Sequence, residues 1–126
     1  ALVTALATGN TVTAVVSDLF FEEAVAFRDK FNATGAPFGV LQVARLRHLQ
    51  PLLAHDAMAG VVIKSNCPRS AYVATQLAAR AGAILPTIKA EYDDNLIQRL
   101  VTEKTVSIDT TASGGNTSLM TLTEED

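Results

Sequence analysis

The sequence has a single cysteine, Cys67, in 126 residues. An internal disulfide is therefore excluded, and a reducing, cytoplasmic setting is the expectation. There is no excess of positive charge: Lys plus Arg number 10 against 13 Asp plus Glu, for a net charge of −3. A weakly acidic surface offers no electrostatic reason to bind nucleic acid or an anionic membrane. No apolar run is long enough to span a bilayer, and no basic-then-apolar leader opens the chain. The two histidines, His48 and His55, are poorly spaced for a metal, and no Cys/His cluster supports one. Linkers, low-complexity runs and solenoid repeats are also missing.

What remains is an apolar chain of one-domain size. Apolar residues make up 48% of it, enough to bury a core and to argue against disorder. The first seven residues (Ala-Leu-Val-Thr-Ala-Leu-Ala) already form a helix-like apolar run without an initiator Met. They read as the start of a fragment of a longer protein, or as a start from which tag or disordered residues are missing.

The β-branched segment 11–16 lies between Gly9-Asn10 and Ser17-Asp18 and predicts a buried strand. Asp18 is placed to cap a helix that Gly35 ends, and Glu22 and Glu23 suit its dipole. Phe20, Ala24, Phe27 and Phe31 recur at helical spacing as its buried stripe. The unit then repeats. Strands are expected over 38–43, 60–64 and 84–90. Helices are expected over 46–58 (broken or restarted at Pro51), 68–81 and 95–101. Ala71, Ala74, Ala78, Ala79 and Ala81 would let the helix over 68–81 pack close to the strands. Asp93 or Asp94 would cap the last helix, with Leu96, Ile97 and Leu100 facing inward. Strand and helix alternate four times, which predicts an α/β fold: a mainly parallel sheet with helices on both faces, over residues 1–104.

Ligands of an open parallel sheet bind outside the carboxyl ends of its strands. The first strand-to-helix turn, Val16-Ser17-Asp18-Leu19, contains no glycine. Gly35, Gly60 and Gly82 follow helices instead and read as helix C-caps. The dinucleotide and P-loop fingerprints are thus both missing, and no cofactor is expected in this chain. The strand-end loops are polar: Ser17-Asp18, Arg45, Ser65-Asn66, Arg69-Ser70 and the acidic stretch from Glu91 to Asp94. Ser65, Asn66, Arg69 and Ser70 flank a helix N-terminus, where an anion can sit or where they simply cap the helix and face water. Cys67 lies near the same helix start, but a nucleophile also needs a base and an oxyanion site. The histidines read as surface residues seven apart on one helix. No catalytic set emerges. A flavodoxin-like signalling receiver would want two acids after the first strand, and only Asp18 is there.

The last segment breaks the rhythm. Strands are expected over 105–111 and 117–122, joined by the turn Ser113-Gly114-Gly115-Asn116, with glycines where positive φ is needed. Residues 123–126 form an acidic tail. Val106 and Ile108 give one strand an apolar face, while Leu119, Met120 and Leu122 leave the other apolar on both faces. A lone hairpin is marginal in water. This one either packs on its own domain or adds to a neighbouring sheet, the reading preferred because the α/β unit is already complete. Self-association through the hairpin is a further reading.

Two stretches resemble known proteins. Ala5-Leu6-Ala7-Thr8-Gly9-Asn10-Thr11-Val12 is similar to the helix-to-strand entry of the cofactor-binding fold in the aldehyde dehydrogenase superfamily (Ala-Leu-Ala-x-Gly-Asn-x-Val). The stretch from Glu103 to Leu122, with Ser107-Ile108-Asp109-Thr110 and Gly114-Gly115-Asn116-Thr117-Ser118-Leu119-Met120-Thr121, resembles the C-terminal motif of long bifunctional proline utilization A proteins. Asp109 departs from the usual Asn. Those proteins join an FAD-dependent proline dehydrogenase to an NAD-dependent 1-pyrroline-5-carboxylate (L-glutamate γ-semialdehyde) dehydrogenase. The resemblance implies a Rossmann-like, aldehyde-dehydrogenase-like fold without catalytic function, part of a multifunctional oxidoreductase of proline catabolism. It implies a lid over the substrate-channelling tunnel. It also implies that the hairpin docks on the dehydrogenase domain of the same protein, within one chain or across a dimer. NAD and FAD would belong to the parent, and Cys67, in Ser-Asn-Cys-Pro, does not match the family's nucleophile motif.

Overall fold

The computed structural model describes residues 1–91 and 95–101. The expected hairpin over 105–122, with Gly114, Gly115 and Asn116 in its turn, lies outside the described residues. So do the tail 123–126 and the acids Asp93 and Asp94.

The described chain is a small α/β protein. Its helices are α1 (Leu2–Ala7), α2 (Phe21–Ala33), α3 (Leu49–Leu53), α4 (Ser70–Ala78) and α5 (Leu96–Arg99). Its strands are β1 (Val12–Val16), β2 (Leu41–Arg45), β3 (Val61–Ile63) and β4 (Thr87–Lys89). Short 3-10 turns, Asp18–Phe20 and Leu46–His48, lead into α2 and α3. The strands pair in parallel, as the alternation predicts. Among the described residues they form two separate ladders, β1 with β2 and β3 with β4, rather than one four-stranded sheet.

The register sets Val12 opposite Leu41, Ala14 opposite Val43 and Val16 opposite Arg45. Side chains alternate across a strand, so these six share one face. Helix α2 packs against β2, α3 against α4, and α1 touches both β1 and α5. Among the described residues the buried hydrophobics are Ala5, Leu41, Leu53, Val73, Ile88 and Leu96. They come one each from α1, β2, α3, α4, β4 and α5; α2 contributes none.

That last point corrects the expected stripe of α2. Phe20 is 56% exposed and Phe27 51% exposed. The better-covered face runs through Phe21, Ala24, Val25, Arg28 and Phe31. Two apolar stripes overlap on this helix, and Phe21 is the ring taken up under the Arg45 guanidinium, 3.7 Å from its centroid. With Phe21 held there, Phe20, in the preceding 3-10 turn, and Phe27, about 120° round the helix from Phe21, stay half-exposed.

Other expectations shift for equally local reasons. Asp18 does not cap α2: the N-cap position is Phe20, with no side-chain cap bond, and Asp18 pairs with Arg45 instead. The helix expected over 46–58 ends at Leu53. Its break falls between His48 and Leu49, not at Pro51, which occupies the third helical position, where a missing N–H costs no intrahelical bond. His48 and His55 therefore do not share a helix, although both are exposed as expected. Helix α4 runs over Ser70–Ala78, not 68–81, and buries Val73 while its alanines and Ala81 lie exposed. Residues 37–40 form a turn, closed by Val40 N–H to the Pro37 carbonyl, so β2 starts at Leu41 and leaves Phe38 99% exposed. The strand expected over 84–90 shortens to Thr87–Lys89, with Ile84 exposed. Helix α5 takes Asn95, not an aspartate, at its N-cap, and Ile97 faces outward while Leu96 is buried.

Gly35 adopts the positive φ of a C-cap, as expected. Gly82 lies beyond the end of α4 rather than at its cap. Gly60 has no positive φ, and its reason is space: a Cβ there would meet Pro86 Cγ at 3.1 Å and the Pro86 carbonyl oxygen at 3.2 Å. The close approach is what lets Val61 N–H reach that same carbonyl at 2.9 Å and start the β3–β4 ladder.

Candidate functional site

The first junction of the chain is built from the stretch 5–12. Helix α1 ends at Ala7. Gly9, at φ +84°, donates to the Leu6 carbonyl, and Asn10 N–H donates to the Ala5 carbonyl, both at 3.1 Å. These two bonds form a Schellman closure, which needs a left-handed residue and so favours glycine. The Asn10 side chain extends the closure. Its Nδ2 donates to Thr8 Oγ1 at 3.0 Å and to the Leu100 carbonyl at 2.7 Å. The start of β1 is thereby tied to the end of α5, and the chain leaves the described region beside α1.

The carboxyl ends of β1 and β2 meet in an ion-pair cluster. Val16 and Arg45 are register partners, so the residue that ends β2 stands beside the loop that follows β1. Arg45 reaches Asp18 at 2.9 Å and Glu22 at 3.3 Å, with its guanidinium over Phe21. The hydrogen bond from Arg45 holds the Asp18 carboxyl below its ordinary range, and the positive charges of Arg47 and His48 act in the same direction. The crevice where an open parallel sheet would take a ligand is filled here by the protein's own charges. A ligand entering between β1 and β2 would have to displace Arg45 from two carboxylates and a ring.

Behind this cluster lies an apolar groove of about 350 Å³. Ala14, Val16, Leu41 and Val43 form its floor, Phe20 and Phe27 one wall, and Leu2 of α1 contributes from the other element that lines it. Glu23 is the one charged residue in the lining. A second, more polar hollow of about 390 Å³ lies between α3 and α4. At its edge Arg80 donates to the carbonyls of Leu53 and His55, closing the end of α3 from outside.

The proposed anion residues occupy one loop between β3 and α4. Ser65, Asn66 and Arg69 are exposed and Ser70 is half-buried. The loop is shaped by its backbone: Cys67 N–H donates to the Lys64 carbonyl at 2.9 Å, and Ser70 N–H to the Cys67 carbonyl at 3.1 Å. Arg69 is the N-cap residue of α4, and no side chain caps that helix. Cys67 is half-buried in this loop, away in sequence and element from both histidines. Glu91, two residues past β4, is exposed.

Sequence reasoning placed Asp18 and Arg45 at strand ends without pairing them, and it assigned Glu22 to the helix dipole. The adjacency of two consecutive parallel strands was the signal that could have joined them. The groove was missed because its walls were assigned to the core. Comparison with protein-family models, with curated proteins and with solved structures yields no match. Among the described residues no helix is long and apolar enough to cross a membrane.

Proposed function

We propose that this chain is a non-catalytic docking and lid domain, the C-terminal domain of a cytoplasmic bifunctional enzyme that oxidises proline to glutamate through 1-pyrroline-5-carboxylate. In this reading the described residues are a Rossmann-like unit that covers the channelling tunnel. Residues 105–122 form a hairpin that docks on the NAD-dependent semialdehyde dehydrogenase domain, through Val106, Ile108, Leu119, Met120 and Leu122. NAD and FAD act in the parent's other domains.

The observation that carries the reading is the junction at Gly9 and Asn10. The stretch that resembles the aldehyde dehydrogenase entry is a helix-to-strand entry here, closed at Gly9. Its Asn10 holds the Leu100 carbonyl, three residues before the stretch that bears the second resemblance. The filled crevice at Arg45 also suits a domain that covers rather than converts a substrate.

Deleting residues 105–122 from the full-length enzyme tests this. Aldehyde oxidation and channelling should fall while proline oxidation survives. Undiminished semialdehyde dehydrogenase activity after the deletion would overturn the proposal.

A second reading is an independent anion-binding domain. It is favoured by one observation: the side chains of Ser65, Asn66, Arg69 and Ser70 have no hydrogen-bond or ion-pair partner among the described residues. Titrating the chain with phosphate and with NAD, followed by amide NMR shifts, separates the two. Saturable shifts centred on residues 65–70 would favour binding, and flat titrations would remove it.

A further inference from the structure

The groove walled by Phe20 and Phe27 is an apolar feature that the described residues leave open. Half-exposed aromatic rings above a floor of Val16, Leu41 and Val43 leave apolar surface in water that burial would favour. Asp18 and Glu22 beside it share Arg45, and Glu23 is the one charged residue of an otherwise apolar lining, so the surface offered to an occupant is chiefly hydrophobic.

The position of the chain's exit points to what covers it. Leu100 is held at Asn10, whose N–H helps to close α1, and α5 touches α1. Leu2, at the other end of α1, lines the groove. Helix α1 has six residues, about 9 Å of axial length. Three extended residues span about 10 Å. Residues 102–104 are therefore long enough to carry the chain from its exit to the groove, and the next apolar residue is Val106. The segment 105–122 then supplies Val106, Ile108, Leu119, Met120 and Leu122 with a single charge, Asp109. A segment tethered this closely faces the groove at an effective concentration on the order of millimolar, above that of any second copy in dilute solution.

We propose that in this chain on its own the C-terminal segment 105–122 seats its apolar side chains in the groove formed by α1, α2 and the β1–β2 ladder. The inference concerns the isolated chain and does not depend on where the segment docks in a longer protein. A partner that takes the segment away would leave the groove open, so the two placements exclude each other.

Photo-crosslinking in the full 126-residue chain tests this. A benzophenone side chain replaces Phe27, a half-exposed position, and in a second variant Phe20. The expected product has monomer mass, with peptide mapping that joins position 27 or 20 to residues 105–122. The double substitution Leu119→Ser, Met120→Ser should lower that yield at least fivefold. The same probe at Phe38, outside the groove, should not capture the segment. Cross-links at dimer mass would assign the groove to a second copy and overturn the proposal. Cross-links confined to residues 1–101, or equal capture from position 38, would overturn it as well.

Discussion

The Asn10 side-chain amide donates to the Leu100 carbonyl at 2.7 Å, bridging residues 90 positions apart. The same nitrogen lies 3.0 Å from Thr8 Oγ1 and 3.3 Å from the Ala5 carbonyl. One side chain thus reinforces the closure of α1 and anchors α5. Asn10→Ala should destabilise the chain by about 1–2 kcal/mol, since partly buried carbonyls lose a donor. Asn10→Asp should cost at least as much, because a carboxylate cannot donate. Urea unfolding gives the magnitude. Amide hydrogen exchange should show the largest loss of protection at residues 96–100, and unchanged exchange there would contradict the anchoring role.

Two glycines should respond differently to the same substitution. Gly9→Ala meets nothing within 4 Å, so its cost is backbone strain alone, about 1 kcal/mol. Gly9→Asn should be milder than Gly9→Ala, as asparagine tolerates the left-handed region. Gly60→Ala strikes Pro86 and should separate β3 from β4. Pairing it with Pro86→Ala should restore part of the loss by removing the ring contact, while the carbonyl contact stays. Thermal melts of the four variants distinguish strain from collision.

The Asp18–Arg45 pair has a sign that can be checked by pH. Arg45 holds the folded Asp18 carboxyl below its ordinary value of 3.8. The unfolded chain therefore takes up the proton first as the pH falls. The pair stabilises the fold above that ordinary value and loses its contribution as the pH drops through the lower, folded one. Asp18 is largely exposed, so the effect on stability should be small and salt-sensitive. In Arg45→Gln the Asp18 carboxyl, followed by carbon-detected NMR titration, should move back up toward 3.8.

Arg80 closes the end of α3 by donating to the Leu53 and His55 carbonyls. Arg80→Met keeps much of the stem and removes the donors, and should cost about 1–2 kcal/mol. Arg80→Lys should recover only part of that loss, because a single ammonium lacks the planar guanidinium fork. Equal stability of the Met and Lys variants in denaturant would show that the stem, not the donors, holds α3 to α4.

The sequence by itself determined the alternation of strands and helices, the parallel pairing and the turn at Gly9-Asn10. These follow from short-range causes: β-branched runs, helical spacing and the turn residues that bound them. The direction in which α2 faces was not legible. Phe20, Phe21, Phe27 and Phe31 spread over two overlapping stripes, and periodicity cannot choose between them. The choice fell to Arg45, a residue of another strand, whose guanidinium takes Phe21 and leaves Phe20 and Phe27 to wall a groove. Gly60 is a similar case. Its sequence position suggests a helix cap, and only the approach of Pro86 gives it a different reason. What tertiary structure decided, in each instance, was which of several locally acceptable contacts a distant residue would complete.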